Sequence, residues 1–239
     1  MPGALLQVEG LTKRFGGFRA LDAVTLHVNA GERFGLIGPN GSGKTTLINC
    51  VSGALPVDGG RIVFDGHDIT GLPAHRRTRL GIVRSFQIPK PFTSMTVLEN
   101  LEIPLEYAAH LRSDAADVDA MEILRAIGLE SKARLRPAGL TQVEMRKLEL
   151  ARAMAARPKL LISDEAMAGL SSAEVDDILD ILFRLNERGI TIIMIEHIMR
   201  AVMRFSERIV VLDAGERIAE GPPEEIVRNP AVEKAYLGE

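Results

Sequence analysis

The stretch GLIGPNGSGKTT, residues 35–46, decides the fold. Within it Gly38-Pro39-Asn40-Gly41-Ser42-Gly43-Lys44-Thr45 satisfies the phosphate-loop pattern in full. Its context is the one the pattern needs, because an apolar run that reads as a strand precedes it and GKTTLINCVSGAL, which reads as a helix, follows. Glycines let the backbone curl until its amides converge on phosphate oxygens, and the helix N-terminus adds partial positive charge. Lys44 is suited to the β- and γ-phosphates and the hydroxyl of Thr45 to Mg²⁺, with Thr46 completing the cradle.

A phosphate loop calls for acidic residues at the end of a neighbouring core strand, and KLLISDEA supplies Asp164 and Glu165. Asp164 is suited to hold Mg²⁺ through water, and Glu165 to orient and polarise an attacking water. Three further residues stand near strand ends. Gln87, in GIVRSFQIPKPF, is placed to meet Mg²⁺ or the water, and His197, after TIIMIE, to meet the γ-phosphate. Phe15, in KRFGGFRAL, is placed to stack on an adenine ring. Taken alone, each also has a bland reading, as a surface glutamine, a structural histidine and a core aromatic.

Around these motifs the chain alternates strand and helix patterns. LLQVEG, RALDAVTLHVNAGERFGLIG and GGRIVFDG read as strands joined by tight turns, and RIVVLDAGERIAEG as a hairpin turning at Ala214-Gly215. KLLIS and TIIMI read as buried strands, and SSAEVDDILDILFRLNERG as a helix opened by a Ser171–Glu174 capping box. DAADVDAMEILRAIGL reads as a helix with Val118, Met121, Leu124 and Ile127 along one side. The expected fold is α/β: a single domain over residues 1–239 whose core sheet is mostly parallel, with a small helical subdomain at about residues 88–156.

Bulk properties narrow the function classes. A net charge of −3 and a pI near 6.0 give no basic field for nucleic acid. The single cysteine, Cys50, excludes an internal disulfide, and no apolar run approaches bilayer length. The expected location is cytoplasmic, with any membrane role exercised through a partner.

Taken together and in order, Phe15, GPNGSGKT, Gln87, LTQVE, LLISDE, the AGLSS turn and His197 resemble the ATP-binding subunit of an ABC transporter, over essentially the whole chain. The resemblance implies a P-loop ATPase with an antiparallel β subdomain beside the parallel core. It assigns Gln87 to the Q-loop, Asp164 and Glu165 to the Walker B strand, Ala168 to Ser171 to the D-loop and His197 to the switch histidine. It also implies a head-to-tail dimer of ATP-binding subunits, each ATP lying between one subunit's P-loop and the other's signature helix. Permease subunits would span the membrane, the chain would sit peripherally on its inner face, and a substrate-binding protein would take part indirectly. FQIPKPFTSMTVLENL and the ending VLDAGERIAEGPPEEIVRNPAVEKAYLGE are similar to the ATPases of branched-chain, or hydrophobic, amino acid uptake. The lipopolysaccharide-export ATPase has a similar ending, and a weakly hydrolysing regulatory subunit is the other alternative. For such a family the docking groove for a membrane partner is expected between Gln87–Met95, with Ile88, Phe92 and Met95, and the helical subdomain.

One motif departs from the family. The signature normally reads Leu-Ser-Gly-Gly-Gln, and here it is Leu140-Thr141-Gln142-Val143-Glu144. Thr141 and Glu144 keep capping-box spacing, so a properly started helix is expected. Gln142 and Val143 replace glycines on the surface that would face a partner's γ-phosphate, and Glu144 adds a negative charge. Weakened closure over ATP follows, and with it a heterodimer in which the partner supplies the better signature.

Overall fold

The computed structural model describes residues 3–85, 89–108 and 113–237. The long hairpin of β1 (Ala4–Phe15) and β2 (Phe18–Asn29) pairs through β1 with β4 (Gly59–Phe64), and β4 pairs with β5 (His67–Asp68). All these pairings are antiparallel, in the order β2-β1-β4-β5. The second sheet runs β10-β9-β3-β8-β7-β6. Its members are β3 (Arg33–Ile37), β6 (Ile82–Ser85), β7 (Leu160–Asp164), β8 (Thr191–Ile195), β9 (Arg208–Asp213) and β10 (Glu216–Gly221). Every pairing from β9 to β6 is parallel, and β10 folds back antiparallel on β9. Ala214 and Gly215, both at positive φ, make that last turn as the sequence anticipated.

Burial on both faces explains why the core strands are apolar without interruption. Along β8, Ile193 and Ile195 face the antiparallel sheet and α1 (Lys44–Ser52), whereas Ile192 and Met194 face the opposite helical layer. That layer includes α6 (Ser172–Glu187), opened by the expected Ser171–Glu174 capping box, and α7 (Met199–Phe205). Between β6 and β7 lie α3 (Glu99–Tyr107), α4 (Ser113–Ala126) and α5 (Gln142–Ala155), which pack on one another. Two short helices, α8 (Pro223–Val227) and α9 (Pro230–Leu237), follow β10.

The expected apolar side of α4 needs one correction. Leu124 and the following Ile127 are buried together with Ala120, but Val118 is 60% exposed. The inward stripe is therefore centred on Ala120 and Leu124, and Val118 lies beyond its edge.

A buried arginine anchors the helix that follows the phosphate loop. Arg77, on α2 (Ala74–Leu80), donates to the carbonyls of Cys50 and Val51 at 2.7 and 2.9 Å, at the C-terminal turn of α1. It also donates to Leu72 and Thr70 at 2.8 and 3.0 Å. The guanidinium thus satisfies the orphan carbonyls of α1 and complements the negative end of its dipole.

Candidate functional site

The phosphate loop is held between β9 of one sheet and β2 of the other by contacts that only glycine permits. A side chain at Gly38, where φ is +149°, would place its Cβ 2.0 Å from the carbonyl oxygen of Leu212 on β9. Gly43 caps α1 at φ +104°, where a Cβ would lie 2.8 Å from the carbonyl of Ala20. The loop is tied to the β9–β10 turn by the N–H of Gly215, which donates to Ser42 at 3.1 Å. Lys44 is folded beneath the loop, its ammonium donating to the carbonyls of Gly38 and Pro39 at 2.8 and 2.9 Å. Burial lowers its pKa, and the charges of Glu165 and Asp164 offset part of that effect.

A cavity of about 300 Å³ opens over the loop. Asn40 to Thr46 form its floor, Phe15 and Phe18 one wall, and Glu165 and His197 the other. Phe15 therefore sits where an aromatic ring from β1 was expected. Phe18 was not anticipated, although the Gly16-Gly17 turn places it directly across the hairpin from Phe15. Larger hollows exist elsewhere, one of about 820 Å³ beside α4 and the end of α6, but it touches none of these residues.

Glu165 owes its position to an unusual backbone. It lies just past β7 at φ +49°, and its N–H donates to the carbonyl of Ile195 at 2.9 Å. For a residue with a Cβ, left-handed backbone costs about 1–2 kcal/mol, a cost that tends to be concentrated at functional sites. The turn brings Oε1 of Glu165 to 2.9 Å from Nε2 of His197. Facing an ionised carboxylate, that nitrogen carries the proton and donates it to the bond.

Asp164 points elsewhere. Its Oδ2 receives both Nη2 and Nε of Arg84, on β6, at 2.5 and 3.1 Å. The same guanidinium donates to Oδ1 of Asn49, on α1, at 2.6 Å. Arg84 thus bolts the acidic strand to the phosphate-loop helix. Sequence reasoning passed it over because an arginine in GIVRS carries no motif, and only the parallel pairing of β6 with β7 brings it to Asp164.

Glu196 was also overlooked, and it lies immediately before His197. It is 3% exposed, and its Oε1 accepts the N–H of Met167 at 2.8 Å. Burial, assisted by the nearby charges of Glu165 and Asp164, pushes its carboxyl up to about 7. This residue ties the loop after Glu165 to the loop carrying His197. Gln87 and Ile88 lie outside the described residues.

The segment Thr141–Glu144 does not line its own chain's cavity. Its capping box forms as expected: the N–H of Glu144 donates to Oγ1 of Thr141 at 3.4 Å, and the N–H of Thr141 to Oε2 of Glu144 at 2.8 Å. Two expectations about its surface change. Val143 turns inward and packs against the helical core. Glu144 is folded back onto the N-cap and paired with Lys132 at 2.7 Å, which together hold its pKa below the usual range. The added charge is therefore balanced within the chain. Gln142 stays exposed, its amide nitrogen 3.0 Å from the place where Gly169 would carry a Cβ, while Arg146 donates to the carbonyl of Ala168 at 3.2 Å.

A separate groove of about 510 Å³ runs between α2, β6, α3 and α5. Val83, Phe92, Pro104 and Tyr107 give it apolar walls, and the guanidinium of Arg152 lies 5.3 Å from the centre of the Phe92 ring. The buried Asn100 pins Phe92 from both sides, accepting its N–H at 2.8 Å and donating to its carbonyl at 3.1 Å. Met95 is not among the residues that line the groove.

A family model described as ABC transporter matches residues 21–168, and one described as branched-chain amino acid ATP-binding cassette transporter matches residues 216–239. The high-affinity branched-chain amino acid transport ATP-binding protein BraF of Pseudomonas aeruginosa is 41% identical, with 100% of both chains covered. LivG of Escherichia coli K12, which carries the same description, is 39% identical with the same coverage. Among solved structures, the ADP conformation of MJ1267, an ATP-binding cassette of an ABC transporter, is 33% identical, with a TM-score of 0.87 over 99% of each chain. The dimeric, post-hydrolysis cassette MJ0796 bound to ADP and Pi is 28% identical, with a TM-score of 0.81 over 91% of this chain and 98% of that one.

Proposed function

We propose, from the premise that this chain belongs to the ABC transporter ATP-binding family, that its ATP hydrolysis powers uptake of branched-chain or other hydrophobic amino acids. The observation that carries the catalytic part is the meeting of phosphate loop, Glu165 and His197 around one cavity. Support for the transported solute comes from the relatives' descriptions and from the family match at residues 216–239.

In this mechanism the loop amides from Gly41 to Thr46 receive the phosphates, and Lys44 exchanges its backbone carbonyls for phosphate oxygens. Phe15 and Phe18 offer aromatic surface to the base. Glu165 holds the attacking water in line with the γ-phosphate, and His197 fixes the carboxylate through Oε1. Thr45 presents a hydroxyl at the cavity, and Asp164, one of whose oxygens Arg84 holds, would act on Mg²⁺ through water, with phosphates and further water completing the shell. Bound there, the ion would neutralise charge on the phosphates.

The signature segment, turned away from its own cavity, serves the nucleotide of a second ATP-binding subunit. With Glu144 balanced by Lys132, its handicap rests on the bulk of Gln142 rather than on charge. A heterodimer whose partner carries two glycines there has one fully equipped site. The groove at Phe92 and Tyr107 receives a short apolar helix of a permease subunit. Among the described residues no helix is long and apolar enough to cross a membrane, and we place the chain on the inner face of the cell membrane through that contact.

The test is reconstitution with the membrane proteins that co-purify with this chain and with a substrate-binding protein. Leucine uptake should require internal ATP, and Glu165→Gln should bind ATP while losing about a hundredfold or more of the hydrolysis. Unchanged hydrolysis would remove Glu165 from its role; stimulation by lipopolysaccharide instead of leucine would overturn the solute. Mixing with candidate partner ATPases should raise turnover above the additive value, and an equally active homodimer would refute the asymmetric pairing.

A further inference from the structure

Glu165 sits in left-handed backbone, at φ +49°, and a residue with a Cβ keeps that conformation only where its flanks are held. On the upstream side its N–H donates to the carbonyl of Ile195 at 2.9 Å. Downstream the chain makes two overlapping turns: the N–H of Ala168 donates to the carbonyl of Glu165 at 3.3 Å, and the N–H of Leu170 to the carbonyl of Met167 at 3.2 Å. Both bonds lie at the long end of the normal range, so the segment from Ala166 to Gly169 needs support from outside itself.

That support comes from two directions. From the side of His197, Oε1 of the buried Glu196 accepts the N–H of Met167 at 2.8 Å. From the side of α5, Nη2 of Arg146 donates to the carbonyl of Ala168 at 3.2 Å. Ala168 therefore joins Glu165, through its N–H, to Arg146, through its carbonyl. Arg146 lies four residues beyond Gln142 and so on the same side of α5, and Gln142 approaches the same turn, its amide nitrogen 3.0 Å from the place where Gly169 would carry a Cβ. The other terminal nitrogen of Arg146, Nη1, is buried and finds no acceptor among the described residues. A guanidinium kept for stability alone would have its buried N–H groups satisfied, since each unpaired one costs free energy. Nor does the seating of α5 depend on it, because the neighbouring Lys147 fastens that helix to Asp177 of α6 at 2.5 Å.

We propose that Arg146 is a positioning residue for Glu165, acting through the carbonyl of Ala168. This rests on the reading of Glu165 as the group that holds the attacking water, and it names a further residue of that reaction. Arg146 does not line the cavity over the phosphate loop, so its effect belongs to the chemical step and not to ATP binding. Because α5 begins at the signature segment, the helix that presents that segment also holds the chain's own carboxylate.

The experiment is a mutant cycle on the full chain, with Arg146→Met, which keeps the aliphatic stem and removes every donor, made in the parent and in Glu165→Gln. In the parent background kcat should fall about tenfold, the change expected from losing a hydrogen bond to a charged group, with the KM for ATP within about twofold. In the Glu165→Gln background the same substitution should change the residual hydrolysis by less than about twofold, because a residue that acts through Glu165 has nothing left to position. Arg146→Lys keeps a charged donor and should hold the loss of kcat to about two- to threefold; should Arg146→Met not fold, Arg146→Lys carries the same cycle with that smaller loss. An unchanged kcat, a rise in KM at constant kcat, or equal losses in the two backgrounds would each overturn the proposal, the last by showing that Arg146 serves folding or subunit pairing instead. Unchanged hydrolysis in Glu165→Gln alone would overturn the reading of Glu165 itself, so the two failures are distinct.

Discussion

Replacing Glu196 with Gln should stabilise the protein above neutral pH and leave it unchanged in mild acid. The carboxyl is raised from 4.5 to about 7 by burial first and by the charges of Glu165 and Asp164 second. Between these values the folded chain keeps a proton that the unfolded chain has released. The side chain's contribution to stability is therefore complete below about pH 4.5 and is lost as pH rises through about 7. At 1.36 kcal/mol per pH unit, the whole window corresponds to about 3 kcal/mol at most. Gln keeps a carbonyl oxygen for the N–H of Met167 and carries no charge to be desolvated. The stability difference between Glu196→Gln and the parent should then be near zero at pH 4.5 and grow towards about 3 kcal/mol at pH 8, or roughly 6–12 °C in Tm for a chain of this size. Urea unfolding at a series of pH values between these limits measures it, since other titrating groups are common to both chains and cancel. A gap that is constant with pH, or that widens toward acid, would refute the placement of a neutral carboxyl beside His197.

Three further outcomes follow from particular contacts. Arg84→Ala leaves Asp164 without the guanidinium on its Oδ2 and should cost about 2–4 kcal/mol in urea unfolding, somewhat below the usual cost of breaking a buried pair because the Lys44 ammonium lies near; Arg84→Lys should lose less, and a cost under about 0.5 kcal/mol for Arg84→Ala would remove Arg84 from this role. Thr141→Ala deletes the N-cap of α5 and should lower stability by about 1 kcal/mol, read as a drop of about 2–4 °C in Tm. Lys132→Met strips Glu144 of its balancing charge, so in a Glu165→Gln background ATP-driven pairing of two chains, followed by size-exclusion chromatography, should need a few-fold more ATP.

The core of the site was legible because its chemistry is local. The phosphate loop, the acidic pair and the two capping boxes each depend on residues within a few positions of one another, and the backbone conformations they need are written in their glycines and hydroxyls. Val118 was misread because periodicity gives the side of a helix without saying where the neighbouring layer ends, whereas Val143 was misplaced by matching it to a signature glycine, since it packs inward. Glu144 was read as a free charge because its partner, Lys132, belongs to another segment.

By itself, then, the sequence determined the α/β architecture, the family and the glycine-rich loop that lines the cavity. What only the tertiary structure decided was the electrostatic state and the anchoring of those residues. Arg84 reaches Asp164 across 80 positions, and Met167 donates to Glu196 across 29. The physical reason is that pairing between parallel strands and burial behind a sheet are properties of the assembled layers. No window of neighbouring residues records which charge will be balanced or which carboxyl will be pushed toward its neutral form.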